Sequence, residues 1–206
     1  MPDVTNAWLT GRPHPVDTPA TLPTRLSRER LGPSSPQRDV AEPDMADRLP
    51  IAVLPGSPRV WVIGVHGGAG ESTLARLLTG ATATGHRWPT STTTPVLLVA
   101  RSSMTGLTAA RRAATQWASG AAGNLSLLGL VVIADAPGRL PRPLAQFADL
   151  VGGGVPRMWR WPWIDQLRLD PHLHRSAPSW PKPALALLDT IDALTPTASA
   201  TEEDPS

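Results

Sequence analysis

The stretch Val60-Trp-Val-Ile-Gly-Val-His-Gly-Gly-Ala-Gly-Glu-Ser-Thr-Leu-Ala75 decides the fold of this chain. It begins within a nearly continuous apolar run, Arg59–Val65, which is typical of a buried parallel strand. A glycine-rich turn follows, and a helix is predicted over Glu71–Thr79. A glycine-rich turn between a strand and a helix lets backbone N–H groups converge on an anion. The stretch therefore predicts a phosphate-binding loop.

The residue that normally holds phosphate is missing from this loop. A P-loop carries Lys directly after its last glycine, where the ammonium group reaches the β- and γ-phosphates, and here that position is Glu71. Replacing an attracting by a repelling charge shifts the interaction by several kcal/mol, taking about 4 kcal/mol per pair at ~4 Å and an effective dielectric constant of ~20. Three interpretations stay open: a weakened nucleotide site, an anion site filled by the Glu71 carboxylate itself, and a glycine-rich turn without a ligand.

Composition excludes several classes of protein. The 206 residues suit one domain with tails, and the lack of Cys excludes a disulfide framework, thiol catalysis and thiolate metal sites. The pI of about 10.3 accompanies a formal charge of only +2, because almost nothing titrates between about pH 8 and 10. The single lysine, Lys182, lies too far along the chain to replace the one missing from the loop. The longest apolar run, Leu125–Ala134, is too short for a membrane span, so we expect neither a span nor a leader, and a cytoplasmic location.

The chain divides into three parts by composition. Residues 1–58 are rich in Pro and polar residues and are predicted to be mostly disordered or draped over the domain, with two islands that could dock, 6–13 and 49–54. Residues 59–194 form the predicted domain. Residues 195–206 form a polar, acidic tail that is predicted to be disordered.

Strand and helix patterns alternate within residues 59–194. This alternation predicts an α/β fold with a small, mostly parallel sheet. Together with the glycine loop, it indicates a three-layer P-loop-like domain. A loop is predicted over Ala81–Pro95, because that segment is full of Thr, Gly and Pro. The further predicted strands are Pro95–Ala100, Leu127–Ala134 and Val155–Trp159. The further predicted helices are Leu107–Ser119, Pro141–Val151 and Pro183–Leu194.

The loop resembles the deviant Walker A loop of the ParA/MinD family of SIMIBI-class P-loop ATPases, whose run is Lys-Gly-Gly-x-Gly-Lys-Ser/Thr-Thr. The corresponding run here is His66, Gly67, Gly68, Ala69, Gly70, Glu71, Ser72 and Thr73. The resemblance implies that His66 occupies the signature-lysine position, which in the family contacts nucleotide across a dimer. It implies that Glu71 occupies the P-loop lysine position and Ser72 that of the Mg²⁺ ligand. The implied cofactor is ATP or ADP with Mg²⁺, and a loop without a cofactor is an equal alternative.

A second acidic position has two interpretations. The family has a strand ending in Asp, the Walker B strand, between its first helix and its later strands. The segment Leu128–Gly138 matches either the later strand whose end neighbours the base, or the Walker B strand, in which case Asp135 is the Mg²⁺ and switch residue. Arg101 and Arg139 are expected at the carboxyl edge of the sheet, where ligands bind in open α/β folds. There they are expected to offset the charge of Glu71.

Tryptophan alternates with other residues late in the chain. Trp159, Trp161 and Trp163 would share one face of an extended segment, with Arg157 and Arg160 interleaved. This pattern is typical of a hot-spot surface for a protein partner or of a stacking platform for single-stranded nucleic acid. It also suits tryptophans that cover one edge of the core.

The resemblance implies a regulatory or partner-binding module with weak or no ATP hydrolysis. Its implied setting is plasmid or chromosome partitioning, septum or pole placement, or the biology of a conjugative element, with a protein partner and a homodimer. The excess of Arg over Lys is typical of a GC-rich bacterial genome. Two alternatives stay open: an active ATPase in which Arg101 or a dimer partner supplies the missing cation, and a nucleic-acid-binding adaptor.

Overall fold

The computed structural model describes residues 31–90, 93–170, 172–177 and 180–195. Its strands are β1 (Ile51–Ala52), β2 (Val60–Gly64), β3 (Ala81–Ala83), β4 (Trp88–Pro89), β5 (Val96–Arg101), β6 (Leu127–Ile133) and β7 (Met158–Trp161). Its α-helices are α1 (Glu71–Leu77), α2 (Met104–Ala118), α3 (Arg142–Gly152), α4 (Gln166–Leu169) and α5 (Lys182–Leu194). A single 3-10 turn spans Met45–Asp47.

The main sheet has five strands in the order β3-β2-β5-β6-β7, and every pair is parallel. Helices α1 and α5 pack on one face of this sheet, and α2 and α3 pack on the other. The predicted α/β class, with a mostly parallel sheet between layers of helices, is therefore confirmed. In chain order the five strands follow the 2-1-3-4-5 arrangement of doubly wound sheets, in which β3 lies on one side of the first strand and the later strands lie on the other.

Strand β2 forms because both of its faces are buried. Every residue of the strand is buried, with Val60 and Val62 in the core beside α1 and α5, and Trp61 and Ile63 in the core beside α2. A strand covered on both faces needs apolar residues at every position rather than at alternate ones. The apolar run in the sequence therefore marks the centre of the sheet.

The predicted loop over Ala81–Pro95 is wrong in two places. Ala81–Ala83 forms β3, which pairs with β2, and Trp88–Pro89 forms β4, which pairs with β1. Strands of two or three residues carry no periodic signal, so neighbouring strands rather than local sequence determine them. The late strand also lies further along than predicted, at Met158–Trp161.

Residues 31–58 lie against the domain as a strap. The side-chain amide of Gln116 accepts a hydrogen bond from Leu49 N (2.9 Å) and donates one to Leu49 O (3.0 Å). The Leu49–Leu54 island contains β1, and its first and last leucines pack on the core beside α2. The island at 6–13 lies outside the described residues, as do the rest of residues 1–30 and the tail at 196–206. Among the described helices, none is long and apolar enough to cross a membrane.

Candidate functional site

A cleft of about 400 Å³ opens at the carboxyl edge of the sheet, between the loops that follow β2 and β5. The crossover from β2 leads to β3 on one side, whereas the crossover from β5 leads to β6 on the other. Such a switch point is where doubly wound sheets bind ligands. The cleft is lined by His66, Gly67, Gly68, Arg101, Ser103, Thr105, Gly106, Asp135 and Arg168.

The glycine loop forms one wall of this cleft. Gly68 and Gly70 have φ of +74° and +98°, which only glycine adopts without strain, and Ala69 N donates to His66 O. A Cβ at Gly67 would meet nothing within 4 Å, so this glycine leaves open space beside the loop. The predicted anion-binding loop thus faces a cleft that is large enough for a ligand.

Glu71 does not point into the glycine loop. Its Oε1 accepts hydrogen bonds from Thr84 N (2.8 Å), Thr84 Oγ1 (3.2 Å) and Gly85 N (2.8 Å), in the turn between β3 and β4. The residue is only 7% exposed. The interpretation that Glu71 fills the anion site of its own loop is therefore wrong, because its carboxylate binds the next turn instead.

His86 completes a cluster around the Glu71 carboxylate. Its Nδ1 lies 2.7 Å from Gly64 O and 3.4 Å from Glu71 Oε2. A Cβ at Gly64 would lie 2.8 Å from both Glu71 Oε2 and His86 Nδ1, so only glycine leaves room for the pair. His86 has φ of +62°, an uncommon conformation for a residue with a side chain. Sequence reasoning missed this cluster, and its signal was a glycine inside an apolar strand, which indicates close approach of another group.

His66 is bound by its own chain. Its Nε2 accepts a hydrogen bond from Arg101 N (3.1 Å), so the proton lies on Nδ1, which donates to Gly67 O (2.8 Å). A Cβ at Gly106 would lie 2.9 Å from His66 Nε2 and 2.3 Å from Arg101 O. Gly106 therefore lets the start of α2 approach β5 and the histidine ring. The ring links the glycine loop to β5.

The Arg101 guanidinium crosses the floor of the cleft. Its Nε donates to Gly68 O (3.2 Å) and its Nη1 donates to Ala134 O (3.1 Å). Partial burial lowers the pKa of Arg101, an effect that Asp135 opposes and Arg168 reinforces. The expected offset between Arg101 and Glu71 is not made, because the partners of Glu71 are Thr84, Gly85 and His86. Arg139 is exposed and does not line the cleft.

Arg168 and Asp135 form the opposite wall. The Arg168 guanidinium carbon lies 4.6 Å from the centroid of the Trp163 ring, a cation–π contact that holds the side chain over the indole. Asp135 is exposed, and its backbone N–H donates to Ser102 Oγ (3.0 Å). Sequence reasoning did not assign Arg168 to the cleft, although this residue ends the segment rich in Arg and Trp that begins at Val155.

The residues expected to bind Mg²⁺ are not brought together. Ser72 is exposed on α1 and does not line the cleft that contains Asp135. Thr73 lines a smaller, more apolar cavity of about 80 Å³ beside it, which shares Arg101 and Arg168 with the cleft. Among the described residues, no group of three or more His, Asp or Glu side chains is placed to hold a metal ion.

The tryptophan segment is mostly core. Trp159 and Trp161 are 8% and 3% exposed and pack in the core beside α5, so the interpretation of an exposed surface of three tryptophans is wrong for these two. They are buried because β7 is the last strand of the sheet and α5 covers it. Trp163 and Arg157 are half-buried, and Arg160 is paired with Asp149 at 3.0 Å, on α3.

Comparison with known proteins gives one match. A model described as "Family of unknown function" (DUF6668) matches residues 58–177, a range that contains the glycine loop and every residue that lines the cleft. No curated protein and no solved structure matches the chain.

Proposed function

This chain belongs to the DUF6668 family, a family of unknown function, and from its cleft we propose that it is a nucleotide-responsive P-loop module, similar to ParA and MinD proteins, that hydrolyses ATP weakly or not at all. The orientation of Glu71 carries this proposal. Its carboxylate binds the turn at Thr84 and Gly85, so the charge that would repel phosphate is withdrawn from the loop. The cleft is left with two guanidiniums and one carboxylate.

Weak or absent hydrolysis follows from the residues that stand at the two positions where the ParA/MinD family has lysine. His66 is hydrogen-bonded within its own chain, and Glu71 is buried away from the loop. Phosphoryl transfer depends on cationic groups and Mg²⁺ that neutralise the charge developing between the β- and γ-phosphates. We therefore expect the module to bind nucleotide and to respond by changing the partner that it contacts, without repeated hydrolysis of ATP.

The strand order supports one of the two alignments of the strand before Asp135 with the ParA/MinD family. β3 pairs with β2 between the first helix and the later strands, and it is followed by Thr84, where the ParA/MinD family has Asp. β6, which precedes Asp135, is separated from β2 by β5. Asp135 therefore suits the later strand whose end neighbours the base, rather than the Walker B strand.

The biological setting is proposed from the resemblance alone. ParA/MinD-like proteins act in plasmid or chromosome partitioning, in septum or pole placement and in conjugative elements, and a cytoplasmic partner protein or a second copy of the chain would read the state of the cleft. The nucleic-acid adaptor is disfavoured because a stacking platform needs exposed rings, and Trp159 and Trp161 are buried.

The alternative function is an active ATPase, and the contact of Arg101 with the glycine loop favours it. Arg101 reaches across the loop to Gly68 O, so its guanidinium lies beside the phosphate loop and could replace the missing lysine. Hydrolysis separates the two proposals, because both require nucleotide binding but only the alternative requires turnover.

The experiment is calorimetry of ATP and ADP with the full chain, with and without Mg²⁺, combined with an assay of phosphate release. We expect binding without multiple turnovers. Gly67→Asp places a carboxylate in open space beside the loop and should weaken binding on the order of 10-fold or more by charge repulsion. Gly67→Asn is the matched control and should retain binding.

Two results would contradict the proposal. Multiple turnovers of ATP would favour the ATPase with Arg101 as its cation. A lack of binding of either nucleotide at millimolar concentration would show that the loop is not a nucleotide site.

A further inference from the structure

The two guanidiniums of the cleft are held in place before any ligand arrives. Arg101 is fixed by its bonds to Gly68 O and Ala134 O, and the exposed Arg168 is oriented by its contact with the Trp163 ring. Guanidiniums that are already ordered lose less side-chain entropy when they bind an anion. Both also line the neighbouring apolar cavity, so they stand at the junction of the two.

The charges of the cleft are unbalanced. Among the described residues, Asp135 is the only carboxylate in the lining. It lies there with two arginines, and the repulsion from Arg168 adds to the burial that lowers the pKa of Arg101. Guanidinium binds phosphate oxygens through two parallel hydrogen bonds, so a pair of arginines suits a multiply charged phosphate. The net positive charge of the lining and its guanidinium donors thus both favour an anion.

A divalent cation has little to bind in the same space. Mg²⁺ is held through one or two carboxylates together with substrate phosphates, in near-octahedral geometry. Asp135 is one carboxylate, and the two adjacent guanidiniums repel a further positive charge. Ser72, the residue expected to bind Mg²⁺, does not line the cleft.

We infer that the cleft binds a phosphate-bearing anion through Arg101 and Arg168 without a divalent cation, and that Asp135 competes with this anion. The inference rests on the proposed function and specifies how its ligand is recognised. It makes the module independent of Mg²⁺. It also makes Asp135 a limit on affinity rather than a metal ligand.

The experiment is a titration of the full chain with inorganic pyrophosphate and with ATP, each in EDTA and in excess Mg²⁺. We expect both ligands to bind in EDTA, with affinities no weaker than in Mg²⁺. Arg168→Ala should weaken binding of both on the order of 10-fold, since one charge-assisted pair is removed. Asp135→Asn should strengthen binding several-fold, because it removes a repelling charge and keeps the backbone bond to Ser102.

Arg142→Ala is the matched control, because Arg142 is an exposed arginine at the start of α3 outside the cleft lining. It should leave both affinities unchanged. Circular dichroism of each variant verifies that it is folded. Arg168 is itself exposed, so its truncation should leave the fold intact.

The outcomes separate this inference from the proposed function. Binding that appears only with Mg²⁺, or that Arg168→Ala leaves unchanged, overturns the inference and leaves the nucleotide module standing. Pyrophosphate binding in EDTA that depends on Arg168, without binding of ATP, supports the inference and overturns the nucleotide part of the proposed function. A lack of binding of both ligands in all conditions overturns both.

Discussion

The carboxylate of Glu71 is bound to the backbone of Thr84, with Oε1 2.8 Å from Thr84 N, and this contact ties the first residue of α1 to the end of β3. The turn beyond it has two successive residues with positive φ, Gly85 (+67°) and His86 (+62°). The backbone N–H groups of Thr84 and Gly85 both donate to Glu71 Oε1, so the start of this turn forms an anion-binding nest. Here the bound carboxylate is that of Glu71, which follows the glycine loop, and His86 in the same turn contacts Gly64 O, which precedes the loop. The turn therefore holds both ends of the glycine loop.

Removing the Glu71 carboxylate should destabilise the domain. Glu71→Ala leaves Thr84 N and Gly85 N buried or half-buried without their acceptor, and unpaired buried donors cost about 1–3 kcal/mol. Glu71→Gln keeps one acceptor oxygen and should cost about 1 kcal/mol. Urea unfolding measures both changes.

Glu42 supplies the control for that measurement. Its ion pair with Arg48 is exposed on the glutamate side, and exposed pairs contribute about 0–1 kcal/mol. Glu71→Ala and Glu42→Ala with equal midpoints would contradict the structural role of Glu71. Glu71→Lys introduces the residue that ParA/MinD loops carry at the equivalent position, but it buries a cation against N–H donors. We expect this variant to unfold, so it is unsuitable as a binding test.

Alanine should destabilise the domain at Gly64 but not at Gly67. In Gly64→Ala the new Cβ would lie 2.8 Å from Glu71 Oε2 and from His86 Nδ1, so the cluster must separate. We expect a loss of about 1–3 kcal/mol of unfolding free energy, the usual cost of overpacking. Gly67→Ala meets nothing within 4 Å and should be nearly neutral. Equal midpoints in urea would refute the close packing over Gly64.

Gly106→Ala tests a conflict between helix propensity and packing. Alanine in a helix interior is normally more stable than glycine by about 1 kcal/mol. Here the Cβ would lie 2.3 Å from Arg101 O and 2.9 Å from His66 Nε2, so α2 must move. We expect destabilisation, together with a shifted imidazole resonance of His66 in nitrogen-15 NMR. Stabilisation by Gly106→Ala would show that the start of α2 does not approach β5 this closely.

The centre of the fold could be read from the sequence, but the environment of Glu71 could not. The strands β2, β5 and β6 lie within one residue of their predicted ends, because strands covered on both faces are apolar throughout. The partners of Glu71 lie 13 and 14 residues further along, in a segment predicted to be a loop. The sequence does not show whether a carboxylate directly after a glycine loop contacts that loop or a neighbouring turn.

The strap shows a similar limit. Composition predicted that residues 1–58 are mostly disordered or draped over the domain, with an island at 49–54 that could dock. It did not distinguish these two states for residues 31–48, where Val40 also packs against the core, as Leu49 and Leu54 do further along. Their docking also needs a polar side chain at a buried position of α2. Composition averaged over a segment does not reveal such single contacts.

Gln116 is that polar side chain, and its removal should release the strap. It is 1% exposed, and its amide satisfies Leu49 N, Leu49 O and Trp88 Nε1. Gln116→Leu keeps a similar volume but leaves these three groups without a partner, so we expect a loss of about 2–4 kcal/mol. Gln37→Leu, whose amide contacts only the exposed Ser35 O, should have little effect.

Limited proteolysis distinguishes local release from global unfolding. If Gln116 anchors the strap, Gln116→Leu should speed cleavage within residues 31–58 before the rest of the domain is cut, because local opening requires less free energy than global unfolding. A chain that begins at residue 59 should unfold at lower urea than one that begins at residue 31, since β4 loses its partner β1 and the core loses Leu49 and Leu54. Equal midpoints for these two chains would show that the strap contributes nothing to stability, and the hydrogen bonds of Gln116 would then be incidental to the fold.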